Sequence, residues 1–237
     1  MTRSRALIQW AAFCMAATFS VAGLAAPAAG QVTLLTGRAT AAGANGTIRA
    51  LERHSQVFEG DMISTGPASY VNLKFEDGGR VLLRPNSRFG IEHFSYHAKQ
   101  ESRASEAVQQ QQPQAEGNAF FRLLKGGFRA ISGILGHHDH NNYRVRTPVA
   151  TIGIRGTDYE VRYCQGDCLD VDPLPKNGLY TAVNKGAISV RNQAGEKITL
   201  ADQFTYVAGP DIAAKALPFR PRALAQDPIP DPAACGD

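Results

Sequence analysis

The sequence predicts an all-β protein: a single domain of short twisted strands in stacked sheets, sandwich-like or solenoid-like. Three observations carry that reading. The chain holds 11 Phe and 7 Tyr, and Val, Ile and Thr are frequent after residue 30; these types fit a pleated, half-buried surface. Short runs that alternate apolar with polar are bounded by Gly, Asn, Asp and Pro at close spacing, with no regular interleaving of helical patterns. Charged residues make up 19% of the chain, below the roughly 25% of ordinary soluble proteins, which argues against a coiled coil or a highly charged disordered chain.

The first element is a leader. Arg3 and Arg5 precede an uncharged, Ala-rich run over 6–29, with Leu7, Ile8, Trp10, Phe13, Phe19, Val21 and Leu24 as its apolar weight. A basic n-region followed by an apolar h-region predicts a signal peptide over 1–30. Small residues at Ala26, Ala28 and Gly30 place the cut before Ala29 or before Gln31. The expected location is periplasmic or secreted. No later stretch approaches the roughly 20 apolar residues of a membrane span, so no membrane insertion is expected after cleavage. Loss of Arg3 and Arg5 lowers the formal net charge of +4 by two, leaving no strong basic field and arguing against nucleic acid as a partner.

The β domain is expected over 31–209. Its strand candidates are 32–35, 47–51, 69–75, 80–84, 143–146, 150–154, 157–163, 179–183, 187–191, 197–200 and 204–207. Two of them alternate cleanly: Val71, Leu73 and Phe75 oppose Asn72 and Lys74, and Tyr159, Val161 and Tyr163 oppose Asp158, Glu160 and Arg162. Each is expected to bury one face. Turns are read at Glu76-Asp77-Gly78-Gly79, Pro85-Asn86-Ser87, Asn184-Lys185-Gly186 and Gln193-Ala194-Gly195. Phe120, Leu124, Phe128, Ile131 and Leu135 form a helical stripe that Gly126, Gly127 and Gly133 interrupt, which favours a strand running into a short helical turn.

Two segments have little to bury. The stretch 95–118, with glutamines at 109–112, reads as a flexible insertion between core strands. The stretch 210–237, with Pro218, Pro221, Pro228, Pro230 and Pro232, reads as an extended, poorly packed tail. Three cysteines follow the leader. Cys164 and Cys168 flank Gly166 and can close a small disulfide loop in an oxidising compartment. Pairing of either with Cys235, or free thiols, are the alternatives.

Gly60, Asp61, Thr65 and Gly66, then the strand at 69–75, Asp77 and Gly78, the strand at 81–83 and Ser87, follow one another in an order that resembles the periplasmic FecR domain. The later series Thr147, Pro148, Arg155, Gly156 and Thr157, leading into a closing strand, is similar to that family's second hallmark. Together they cover roughly 32–163. The residues are intelligible physically: the glycines permit bends, Asp61, Thr65, Asp77 and Thr157 can tie them by hydrogen bonds to the backbone, and Pro148 forbids helix before the next strand. Arg155 is expected to be partly buried and paired within the sheet, with an anion or a partner's carboxylate as its alternative use. In FecR regulators the domain lies in the periplasm, beyond a cytoplasmic anti-sigma segment and one membrane span, and meets a receptor's signalling domain. Only five residues precede the apolar run here, so the resemblance implies the extracytoplasmic module alone, without an anti-sigma segment.

The most chemical cluster is His137-His138-Asp139-His140. Imidazoles and a carboxylate in a short tract can ligate Zn, Cu or Ni, and in an extended segment one ion would meet His138 and His140 more easily than all four side chains. No Gly-x-Ser-x-Gly elbow, His-Glu-x-x-His pair, phosphate loop or dinucleotide fingerprint is present, so neither an enzyme nor a cofactor is expected. The reading is an exported, non-enzymatic binding or scaffold module that engages a periplasmic protein or envelope component. A metal-binding or sensing protein using His137, His138 and His140 is its alternative.

Overall fold

The computed structural model describes residues 27–98, 115–138 and 141–225. The expected leader up to residue 26, the Gln-rich stretch 99–114, Asp139, His140 and the last residues with Cys235 lie outside the described residues. In chain order the strands are β1 (Ala28–Thr36), β2 (Ala39–Ala42), β3 (Ile48–Ala50), β4 (Gln56–Phe58), β5 (Met62–Thr65), β6 (Tyr70–Phe75), β7 (Arg80–Leu83), β8 (Arg88–Ala98) and β9 (Ala115–Ile131). One turn of helix, α1 (Leu135–His138), precedes β10 (Tyr143–Arg146), β11 (Thr151–Cys164), β12 (Gly178–Asn192), β13 (Gly195–Leu200), β14 (Phe204–Val207), β15 (Lys215–Leu217) and α2 (Arg222–Ala225). The protein is all-β as the alternation predicts, and all strands belong to one continuous ladder.

The long strand β9 makes one ladder act as two stacked layers. Its first half pairs with β8 and, in parallel, with β10; its second half pairs with β7 and β11. The two limbs that leave β9 then pack face to face. Phe75 of β6 lies 5.3 Å from Phe94 of β8 and 5.0 Å from Phe121 of β9, although β6 hydrogen-bonds to neither strand. Phe89, Phe128, Tyr143 and Tyr159 continue the stack. Aromatic pairs at these separations add about 1 kcal/mol each to their burial. Tyr143 and Tyr159 satisfy their buried hydroxyls on each other, at 3.0 Å, and burial pushes both phenols well above their usual range.

Several boundaries differ from those read in the sequence. Asn184-Lys185-Gly186 is not a turn between two strands but an interior irregularity of β12, and the strands expected at 150–154 and 157–163 are one strand, β11. The β11–β12 register shifts between Arg155 and Asp158. There Gly156 and Gly186 both take positive φ, and a Cβ on Gly186 would run into the carbonyl of Gly156. Close backbone contact at a bulge therefore explains these glycines, not chain reversal. The proposed insertion is narrower than 95–118: Ser95 pairs with Asn118 and His97 with Glu116, because β8 and β9 extend their ladder outward. The tail from residue 210 is also packed through α2. Lys215–Leu217 adds a strand to β14, and Ala223 and Leu224 bury against Cys164, Cys168, Tyr180 and Ala182.

Candidate functional site

The motif threonines and aspartates are consumed by the backbone. The Thr65 hydroxyl donates to the Arg84 carbonyl at 2.6 Å and accepts from the Ser87 amide at 2.9 Å. Thr147 ties Ala150 through both its carbonyl and its amide, at 2.8 and 3.0 Å. The Thr157 hydroxyl donates to the Ala187 carbonyl across the bulge and accepts from the Arg155 amide. Asp61, beside Gly60, accepts the Phe58 amide at 2.8 Å and pairs with Arg49. Asp77 accepts the Gly79 amide at 2.9 Å, and Gly78 completes that turn; desolvation pushes the Asp77 carboxyl up despite its backbone hydrogen bonds. Gly66 donates its amide to the Arg38 carbonyl, and Pro148 occupies the bend between β10 and β11.

Arg155 is the exception among these motif residues. Contrary to the expectation of a partly buried, paired arginine, its side chain is exposed on the outer face of β11. The reason is periodicity: Ile152 and Ile154 face the core, so Thr151, Gly153 and Arg155 face outward. The same face continues sideways through the register. Gly153 lies opposite Arg144 of β10 and Ser189 of β12, and Thr151 lies opposite Arg146 and Arg191. Further out, Ser189 meets Ile198 and Arg191 meets Glu196 of β13, while Arg144 meets Phe120 and Arg146 meets Arg122 of β9.

This outer sheet face is basic. It carries Arg122, Arg144, Arg146, Arg155 and Arg191 against Glu92 and Glu196. Arg122 and Arg146 share Glu92, and Arg191 reaches Glu196 at 3.1 Å. The Arg144 guanidinium lies 3.7 Å over the Phe120 ring, which holds it flat on the sheet. A depression of about 420 Å³ is lined by Arg144, Arg155, Arg191, Gly153, Ser189 and Ile198. Gly153 keeps its floor low, since a Cβ there would meet only the Ser189 Oγ, at 2.9 Å. Arg122, Arg144, Arg146 and Arg191 were not singled out from the sequence. The available signal was their place in period-two runs whose alternate residues are apolar, such as Tyr143-Arg144-Val145-Arg146.

A second charged cluster lies inside. Glu160 and Arg162 were expected on the solvent face of their strand, yet they are 3% and 7% exposed. Charges on other elements cover them. Arg84 approaches Glu160 at 3.7 Å, Arg220 pairs with Glu160, and Arg162 pairs with Asp170 while donating to the Ala223 carbonyl at 3.0 Å. Arg129 holds Asp158 with two hydrogen bonds, and Asn184 donates to Asp158 at 3.1 Å. Cys164 and Cys168 form the disulfide, which leaves the loop bearing Asp170 beside α2.

The histidine tract is only partly visible. His137 is exposed at the end of α1, and a Cβ on Gly156 would come within 2.5 Å of its Nδ1. The side chain of His138, and all of His140, lie outside the described residues, and among the described residues no three His, Cys, Asp or Glu side chains gather into a metal-binding group.

A family model described as FecR protein matches residues 61–189. Two crystal structures of a candidate anti-sigma factor from Parabacteroides distasonis ATCC 8503 are similar at 14% identity and a TM-score of 0.45, covering 66% of this chain and 58% of theirs. A structure described as a cell surface anchoring domain is 32% identical over 26% of this chain and 82% of its own, with a TM-score of 0.26. The chain therefore spans less than two thirds of the length of the first of these structures. No curated protein matches. The family model takes in more than half of the chain, from the tie at Asp61 past the bulge at Gly156, and on that extent the protein belongs to the FecR protein family.

Proposed function

We propose that this protein is an exported, non-enzymatic binding or scaffold module that engages a protein of the cell envelope through its outer sheet face. The observation that carries the reading is the open arginine face itself. Five arginines and two glutamates share one side of the sheet, beside the exposed Ile198 and Leu200. Enclosed, apolar clefts are the usual sites for small substrates; a broad surface with apolar and arginine anchors suits protein association. The basic n-region, the apolar run after it and the Cys164–Cys168 disulfide support an extracytoplasmic setting.

Site-specific photocrosslinking in whole cells tests the reading. A photoreactive residue at Ser189, on the face, is expected to give one discrete adduct with an envelope protein. The same residue at Ile48, on the distant strand β3, is expected to give none. Equal labelling from both positions, or none from either, would refute the docking role of this face.

A further inference from the structure

We infer that the depression over Gly153 and Ser189 receives an extended acidic peptide segment that presents two carboxylates four residues apart with an aliphatic or small residue midway. This rests on the binding-module reading and specifies the partner. The argument starts from register. Arg191 lies opposite Thr151, and Arg155 lies four residues further along β11. At about 3.3 Å per residue the two arginines stand about 13 Å apart along the strands and one strand spacing, about 4.8 Å, apart across them.

An extended peptide reproduces that interval. Its side chains alternate in direction, so the first, third and fifth of five residues point the same way, and the first and fifth are separated by about 13 Å. Carboxylates at those two places reach Arg155 and Arg191 together. The third side chain descends onto Gly153 and Ser189, where the missing Cβ leaves room and Ile198 supplies an apolar wall that is 46% exposed. A helix places residues four apart only about 6 Å apart and cannot span both arginines with that pair.

The charges of the face favour this occupant. Arg155 has no ion pair among the described residues. Among the described residues Arg191 is engaged only by Glu196, in a pair whose side chains are 69% and 38% exposed, and such surface pairs are weak enough to exchange. Arg144 is held on Phe120 at the edge of the depression and adds a third cation without needing to be ordered on binding. Planar guanidinium groups take carboxylates in two-point contacts, which a lysine at the same place would not do.

Fluorescence anisotropy on the mature full chain tests this with a labelled probe of sequence Ser-Ser-Glu-Thr-Val-Thr-Glu-Ser-Ser. Saturable binding is expected, at least fivefold tighter than for an isomer with the second glutamate moved one place. Arg155→Glu and Arg191→Glu are each expected to weaken it tenfold or more, and Arg155→Lys less. Gly153→Leu, which fills the floor, is expected to abolish it. Far-ultraviolet circular dichroism and thermal melting confirm that each variant is folded. Equal affinity for the two isomers, or unchanged binding by Arg155→Glu, would overturn the inference. So would binding to vesicles with anionic headgroups or to an anionic polysaccharide that excess probe does not displace. Crosslinking from Ser189 separates the two levels: an envelope-protein adduct that survives Arg155→Glu retains the module reading and rejects the acidic-strand site, whereas loss of every adduct from the wild type rejects both.

Discussion

Thr65, Thr147 and Thr157 each use one hydroxyl as donor and acceptor at once, which is why short polar side chains recur at the bends of this fold. The roles of Thr65 and Thr157 were legible in the sequence, because a threonine beside a glycine has few uses other than tying a bend, whereas Thr147 was legible only as a motif residue. Arg155 was legible as a motif residue but not as an exposed one, since its direction depends on the register of β11. Asp170 was placed only by the tertiary structure, and it supports a pH prediction. Burial raises its pKa, but the hydrogen bond and charge of Arg162 outweigh that and leave it below the ordinary value of 3.8. A depressed carboxylate contributes stability above its unfolded pKa, near 3.9, and loses it as pH falls through the folded value. Asp170→Asn is therefore expected to melt at a lower temperature than the wild type at pH 6. The difference should close as pH falls below about 4. Melting curves by circular dichroism across that range check it, and a gap that stays constant would show that the ion pair contributes nothing. The effect is small, because the Asp170 side chain is 52% exposed and solvent screens it.

At the level of elements, hydrophobic alternation marked β10 and β6, although Asn72, read on the polar side of β6, is buried with Val71 and Leu73. It failed at β2, β4 and β5, where Ala-Thr-Ala-Ala, Gln-Val-Phe and Met-Ile-Ser-Thr hold no clear apolar–polar alternation. Glycine was read as chain reversal at Asn184-Lys185-Gly186 because a turn and a bulge require the same backbone freedom; only pairing with β11 distinguishes them. The C-terminal elements were missed for a different reason. Proline density obscured two buried residues, Ala223 and Leu224, whose partners lie about the disulfide and on β12. Truncation after Pro221 exposes that cluster and removes the Ala223 carbonyl that Arg162 uses. Loss of a buried leucine with its neighbour costs about 3 kcal/mol, and in a domain of this size that corresponds to a fall of about 6–12 °C in the melting midpoint. Differential scanning calorimetry reads it directly. A midpoint unchanged within about 2 °C would mean that α2 adds no stability to the sheet.

For the whole molecule, the proposed export and the fold constrain each other at the start of β1. Ala28 pairs with Phe58, and Ala29 is 2% exposed in the core. A cut before Ala29 keeps that buried alanine, whereas a cut before Gln31 removes it together with Gly30, which pairs with Phe75. N-terminal sequencing of the exported protein is expected to read from Ala29; an intact Met1 in the cytosol would refute export, and a start at Gln31 would show that the first residues of β1 are dispensable. The sequence by itself determined the all-β class, the order of tied bends and a disulfide between near neighbours, because each of these is set by interactions within a few residues. Only the tertiary structure decided which polar residues are buried and which cations share a face. Arg162 and Arg155 belong to the same strand, β11, yet one is enclosed by Asp170 and α2 and the other is open to solvent. That difference comes from elements distant in the chain that cover one end of the strand's polar face and leave the other bare.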